Sequence, residues 1–184
     1  MALPSSLTHR SRPSTLSAMQ ESVRRLITGF KPSHYDLSIY QNSQDLTFSG
    51  SVTISGVRGI DDLSLHSDNL VIKEVLINAR KQSFTLHPEK QELIIADSTP
   101  EGAQIDIHVK FSGTITRPMH GLYPCYFSDG EKEKVLLATQ FESHHAREVF
   151  PCIDEPEAKS TFQLHLTTTK DDIHVSNTPI ATEE

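Results

Sequence analysis

The sequence predicts an all-β fold, a saddle-like antiparallel or mixed β-sandwich, with one short helical turn near residues 144–149. Three observations carry the prediction. From Pro32 onward apolar and polar residues alternate with a period of two, most cleanly where Ile105, Ile107, Val109 and Phe111 are separated by Asp106, His108 and Lys110. These runs are short and are bounded by Gly, Pro, Asn and Asp turn signals. No βαβ alternation and no internal repeat of fixed period is present.

The elements follow in order. Residues 1–30 read as a tail, partly disordered or a short helix, because Met19, Val23, Leu26 and Ile27 fall on one helical face. Residues 31–184 read as one β domain. Tyr35, Leu37 and Ile39 mark its first strand, half-buried by alternation. Phe48, Val52 and Ile54 continue the pattern around Gly50, where an isolated glycine predicts a bulge or sharp bend. Leu63 and Leu65 mark the next strand, and Val71 to Ile77 another. Ser83 to Leu86 and Glu92 to Ile95 flank His87-Pro88-Glu89-Lys90, which reads as a hairpin turn. Leu122 to Phe127 and Val135 to Phe141 are split by Ser128-Asp129-Gly130-Glu131. Phe162, Leu164 and Leu166 then alternate with Gln163 and His165, and Ile173 and Val175 predict one more strand before the Asn177-Thr178-Pro179 turn.

Composition narrows the function. A chain of 184 residues supports one well-buried domain. A formal charge of −7 argues against nucleic acid or anionic lipid as the partner, since both select basic surfaces. No apolar run is long enough to span a membrane. Cys125 and Cys152 lack CxxC spacing, so two reduced thiols are expected rather than a disulfide framework, although sequence leaves a single bridge between them open. Met1 to Gln20 carries Arg10, Arg12, several Ser and Thr and no acid. That bias is shared with organelle transit peptides, whereas the apolar centre of a secretory signal is missing. The expected location is the cytoplasm, with organelle targeting by residues 1–25 as the competing reading.

The densest chemistry lies in Thr139–Pro156, TQFESHHAREVFPCIDEP, between two strand-like runs. Loops on rigid strands are where binding residues concentrate. His144 and His145 could each share a helical face with Glu148, but zinc hydrolase helices need the HExxH order, and adjacent helical histidines point about 100° apart. They are therefore read as surface or loop-packing residues, and no metal ligand is assigned. Cys152 has no orienting third group and sits at a buried corner, which argues against a nucleophile. Asp154 is expected to pair with Arg147 or cap backbone amides rather than act with Glu155 as an acid–base pair. Glu142 sits where a strand turns into the helical stretch. From there it can either bind a substrate ammonium or favour a helix start.

The residues Thr139, Gln140, Glu142, Ala146, Arg147, Phe150, Pro151, Cys152, Asp154, Glu155, Pro156, Lys159 and Phe162 together carry a resemblance. They match the pattern TQxE/Q…AR…FPCxDEPxxKxxF of the M1 family of zinc aminopeptidases, the gluzincins related to aminopeptidase N. Pro32-Ser33-His34-Tyr35-Asp36-Leu37 resembles the family's P-x-H-Y-x-L strand. Phe48-Ser49-Gly50-Ser51-Val52 is similar to its F-x-G-x-V, and Met119-His120-Gly121-Leu122-Tyr123 to its M-x-G-x-Y. The family's zinc motif HExxH, its distal glutamate and its GxMEN motif occur nowhere in the sequence.

The resemblance implies the N-terminal β domain of a longer peptidase, inactive alone, with zinc bound by a catalytic domain that would be its partner in cis. It implies that Glu142 contacts the α-amine of peptide N-termini and that Gln140 lines the same pocket. No catalytic residue is expected within the chain. A non-catalytic scaffold of the same architecture, or a free-standing β-sandwich interaction module, is the alternative.

Overall fold

A computed structural model describes residues 24–168 and 172–183. The predicted helical face of residues 17–30 is described only from Arg24 onward. There Leu26–Thr28 forms a single 3-10 turn, while Met19 and Val23 lie outside the described residues.

Alternation builds the central sheet. Strands β1 (Phe30–Asn42) and β2 (Thr47–Arg58) form a long antiparallel hairpin. Short β3 (Ser64–His66) lies elsewhere. β4 (Val71–Ile77) is followed by two-residue β5 (Arg80–Lys81). A second antiparallel hairpin joins β6 (Phe84–His87) to β7 (Glu92–Ile95) through a 3-10 turn at Pro88–Lys90, where the sequence places its turn. β8 (Gln104–Thr114) then crosses back. β9 (Gly121–Asp129) and β10 (Lys132–Gln140) form a separate hairpin, and β11 (Thr161–Thr167) closes the order.

The main sheet has the order β11-β1-β2-β8-β4-β5, antiparallel except that β11 runs parallel to β1. A three-stranded sheet β3-β7-β6 completes the sandwich. Inward residues of both sheets share one core that includes Tyr35, Val52, Ile54, Leu65, Val75, Leu93, Ile107 and Val109. Each fully buried aliphatic side chain contributes about 1.5–3 kcal/mol. The opposite face of the main sheet stays polar, with Asp36, Ser55 and Asp106 outward.

Two expectations are corrected. Gly50 lies in regular register, opposite Ile39 on β1 and Phe111 on β8, so it makes neither bulge nor bend. It is there because a Cβ would meet the Ser38 carbonyl oxygen at 2.3 Å and the Phe111 ring at 3.1 Å. The register shifts fall instead between Pro32 and His34 and between Ile72 and Glu74. Second, Ile173 and Val175 form no strand. They are 91% and 92% exposed, and alternation without a partner strand cannot fix an extended conformation. Phe162, Leu164 and Leu166 do form a strand, yet it is an edge whose side chains remain largely exposed.

Candidate functional site

Strand β10 ends at Gln140, opposite Gly121 at the start of β9. The chain then turns through residues 142–145 into a 3-10 turn at Ala146–Glu148, the helical feature that the sequence predicts near 144–149. Phe141 is the inner anchor, packed edge-on against Phe150 with ring centroids 6.0 Å apart. Its carbonyl accepts the His145 amide at 2.9 Å. With Phe141 inward, Glu142, Ser143 and His144 face solvent. The Gln140 side-chain oxygen accepts the Glu142 amide at 3.3 Å. No ion pair engages the Glu142 carboxylate among the described residues.

The far side of the loop is held at a corner. His66 and Cys152 exchange backbone hydrogen bonds of 2.7 and 3.1 Å, which fastens residues 150–154 to β3. The Tyr35 hydroxyl accepts the Ile153 amide at 3.1 Å, and its ring stacks on Phe162 at 4.7 Å. Burial pushes the Tyr35 phenol up, so it stays protonated. The Asp154 amide donates to His66 Nδ1 at 3.1 Å. Burial, and then the Arg147 guanidinium, lower the His66 imidazole to about 4, so it is neutral and able to accept.

Arg147 connects turn and corner. Its Nε donates to Asp154 at 3.0 Å and its Nη1 to Gln91 at 3.0 Å, and both ionic side chains are only 12% exposed. The expected Arg147–Asp154 pair is thus present. Glu155 turns the other way, accepting the Leu26 amide at 2.5 Å and pairing with Arg25 at 2.7 Å. Asp154 and Glu155 therefore serve different partners and form no carboxylate pair. Both cysteines are free thiols. Cys152 is buried, and that burial raises its thiol, the opposite of what a nucleophile needs.

One grouping escapes local spacing. His120, just before β9, and His145 both reach Glu148, with Nδ1 to carboxylate distances of 2.7 Å each. The two imidazoles stack at 4.2 Å, and His144 stacks on His145 at 4.6 Å. Sequence spacing brings His145 to Glu148 but gives no sign of His120, which arrives through the pairing of β9 with β10. These residues do not have the HExxH arrangement, so the zinc of the resembled family is not assigned to them.

The profile of the peptidase M1 N-terminal domain matches residues 31–184. The chain belongs to that family. It is 41% identical over 149 residues to an aminopeptidase N of Lactococcus lactis subsp. lactis, covering 80% of this chain and 17% of that protein. Likeness extends to a puromycin-sensitive aminopeptidase of Caenorhabditis elegans, 31% identical over 85% of this chain and 18% of the relative. It also reaches endoplasmic reticulum aminopeptidase 1 of Homo sapiens, at 28% over 81% of this chain and 17% of that protein. The chain thus spans less than a fifth of the length of these relatives. Among the described residues no helix is long and apolar enough to cross a membrane.

Proposed function

We propose that the chain is the N-terminal domain of a zinc metalloaminopeptidase that removes single residues from peptide N-termini, and that Glu142 is one of the acidic groups receiving the substrate α-amine. The placement of Glu142 supports this reading most directly. It is exposed, lies two residues past the end of β10, and has no ion-pair partner among the described residues. The loop that carries it is anchored on one side by Phe141 and on the other by the Arg147–Asp154 pair.

A carboxylate held this way suits a terminal ammonium. It accepts a charge-assisted hydrogen bond and favours the charged form of the amine. Because the loop is fixed at both ends, the carboxylate also sets how deeply a peptide enters, which limits removal to one residue. Gln140, exposed beside it and bonded to the Glu142 amide, lines the same pocket. The family's zinc belongs to the catalytic domain, the partner of this chain in cis, and no step of hydrolysis is assigned to the residues described. Nucleic acid and membranes are not partners in this reading, and the cytoplasm is the proposed location.

The test is Glu142→Ala in the complete enzyme. kcat/KM on aminoacyl substrates should fall by about 10- to 100-fold, the value of a charge-assisted hydrogen bond, with bound zinc unchanged. An unchanged kcat/KM would remove Glu142 from the substrate site.

A further inference from the structure

The His120–Glu148–His145 cluster has a composition and shape that the α-amine reading does not use. Three donors from two separate segments converge within 4.8 Å: His120 before β9, and His145 and Glu148, which precede and end the 3-10 turn. Glu148 is seated by contact as well as by hydrogen bonds. Gly121, at φ +65°, lies so close that a Cβ there would come within 2.7 Å of a Glu148 carboxylate oxygen. The competing cation nearby, Arg147, is committed to Asp154 and Gln91 and leaves the Glu148 carboxylate to the imidazoles. The His144 ring is turned to the Ser143 hydroxyl at 2.8 Å and contributes only by stacking.

We infer that His120, His145 and Glu148 form a binding site for a divalent transition-metal ion of the zinc class, which would clamp the start of β9 to the loop bearing Glu142. Two imidazole nitrogens and one carboxylate oxygen form a borderline donor set suited to zinc, whereas magnesium and calcium prefer all-oxygen surroundings. The side chains are 38%, 22% and 20% exposed, so an ion can enter from solvent and keep a water as its fourth ligand. Binding takes the Nδ1 lone pair of each imidazole, so a proton that Nδ1 shares with the carboxylate moves to Nε2 or is released to water. The 2.7 Å contacts must open to about 3.3 Å, the edge of a tetrahedron with bonds near 2.0–2.1 Å. The His120 and Glu148 side chains, on different segments, can separate by that amount through rotation.

The experiment uses the chain itself, freed of metal and titrated calorimetrically with zinc alone. Parallel titrations use His120→Asn, His145→Asn and His144→Ala. Asparagine retains an amide donor toward Glu148 while removing the metal-binding nitrogen. Circular dichroism confirms that each variant is folded. His120, at the more exposed end, gives the decisive variant if His145→Asn fails to fold. The site requires saturable binding of one zinc per chain, weakened about tenfold or more by His120→Asn and untouched by His144→Ala. It also requires a Tm rise of about 5–10 °C at a hundredfold excess over Kd, lost in His120→Asn. Calcium and magnesium should give neither signal. Zinc binding that is equal in wild type and His120→Asn would place the metal on other histidines of the chain and overturn the inference. Absence of saturable binding would overturn it equally.

Discussion

Replacing Arg147 by methionine tests whether the turn and the corner are one unit. Methionine keeps an unbranched stem but removes three donors: Nε and Nη2 to Asp154, at 3.0 and 3.3 Å, and Nη1 to Gln91 at 3.0 Å. Asp154 is only 12% exposed, so its carboxylate would be left mostly buried without a cation. Breaking a buried pair in this one-sided way costs about 3–5 kcal/mol. Counting the hydrogen bonds separately gives a similar total, about 1.5–3 for the charged pair and about 0.5–1.5 for the bond to Gln91. For a domain of this size, about 3 kcal/mol lowers Tm by roughly 6–12 °C. The assay is thermal and urea unfolding of Arg147→Met, Asp154→Asn and the double variant near pH 7. The double variant should be more stable than the sum of the single losses predicts, by about 1 kcal/mol or more, because it no longer strands a charge. A loss below about 1 kcal/mol for Arg147→Met would class the pair with exposed ion pairs and refute the reasoning.

The remaining predictions concern the corner. His66 is held at about 4, below its unfolded value near 6.5, so the unfolded chain binds more protons between those pH values. Its contribution is fully present above about pH 6.5 and is lost as pH falls toward 4, on the order of 2 kcal/mol after allowing for partial solvent access. His66→Asn, which keeps an acceptor for the Asp154 amide, should flatten the stability–pH curve there relative to wild type, and an unchanged slope would contradict the assignment. Tyr35→Phe removes the acceptor of the Ile153 amide and should cost about 1–3 kcal/mol in urea unfolding; a loss under about 0.5 would mean that the hydroxyl does not hold the corner. A disulfide-exchange reagent should label the half-buried Cys125 in the native protein and Cys152 only on unfolding, and equal rates would show the corner to be open.

Much of the fold was legible because burial on one sheet face imposes a period of two. Strands β2 and β8 follow it, and β1 does so from Tyr35 onward, after the register shift between Pro32 and His34. Alternation reports that successive side chains face opposite sides of a sheet, one buried and one exposed, and it says nothing of partners. It therefore misread Gly50, whose glycine answers to the Ser38 carbonyl and Phe111 across the sheet. It also gave Ile173 and Val175 a strand although no neighbouring strand exists among the described residues. At the site, Arg147 and Asp154 were readable as a pair because they are close in sequence and opposite in charge. His120 was not, since its meeting with His145 and Glu148 is created by the β9–β10 register rather than by local spacing. The Tyr35–Ile153 bond links two motifs that sequence shows only as separate matches.

The most direct measurement for Glu142 is a two-by-two comparison of ligand binding in the complete enzyme. Wild type and Glu142→Gln would be set against a competitive peptide ligand with a free α-amine and its des-amino counterpart. A carboxylate that meets the amine predicts that the variant loses about 10- to 100-fold in affinity for the amine-bearing ligand and nothing for the des-amino one. Equal losses for both ligands, or none for either, would contradict the assignment.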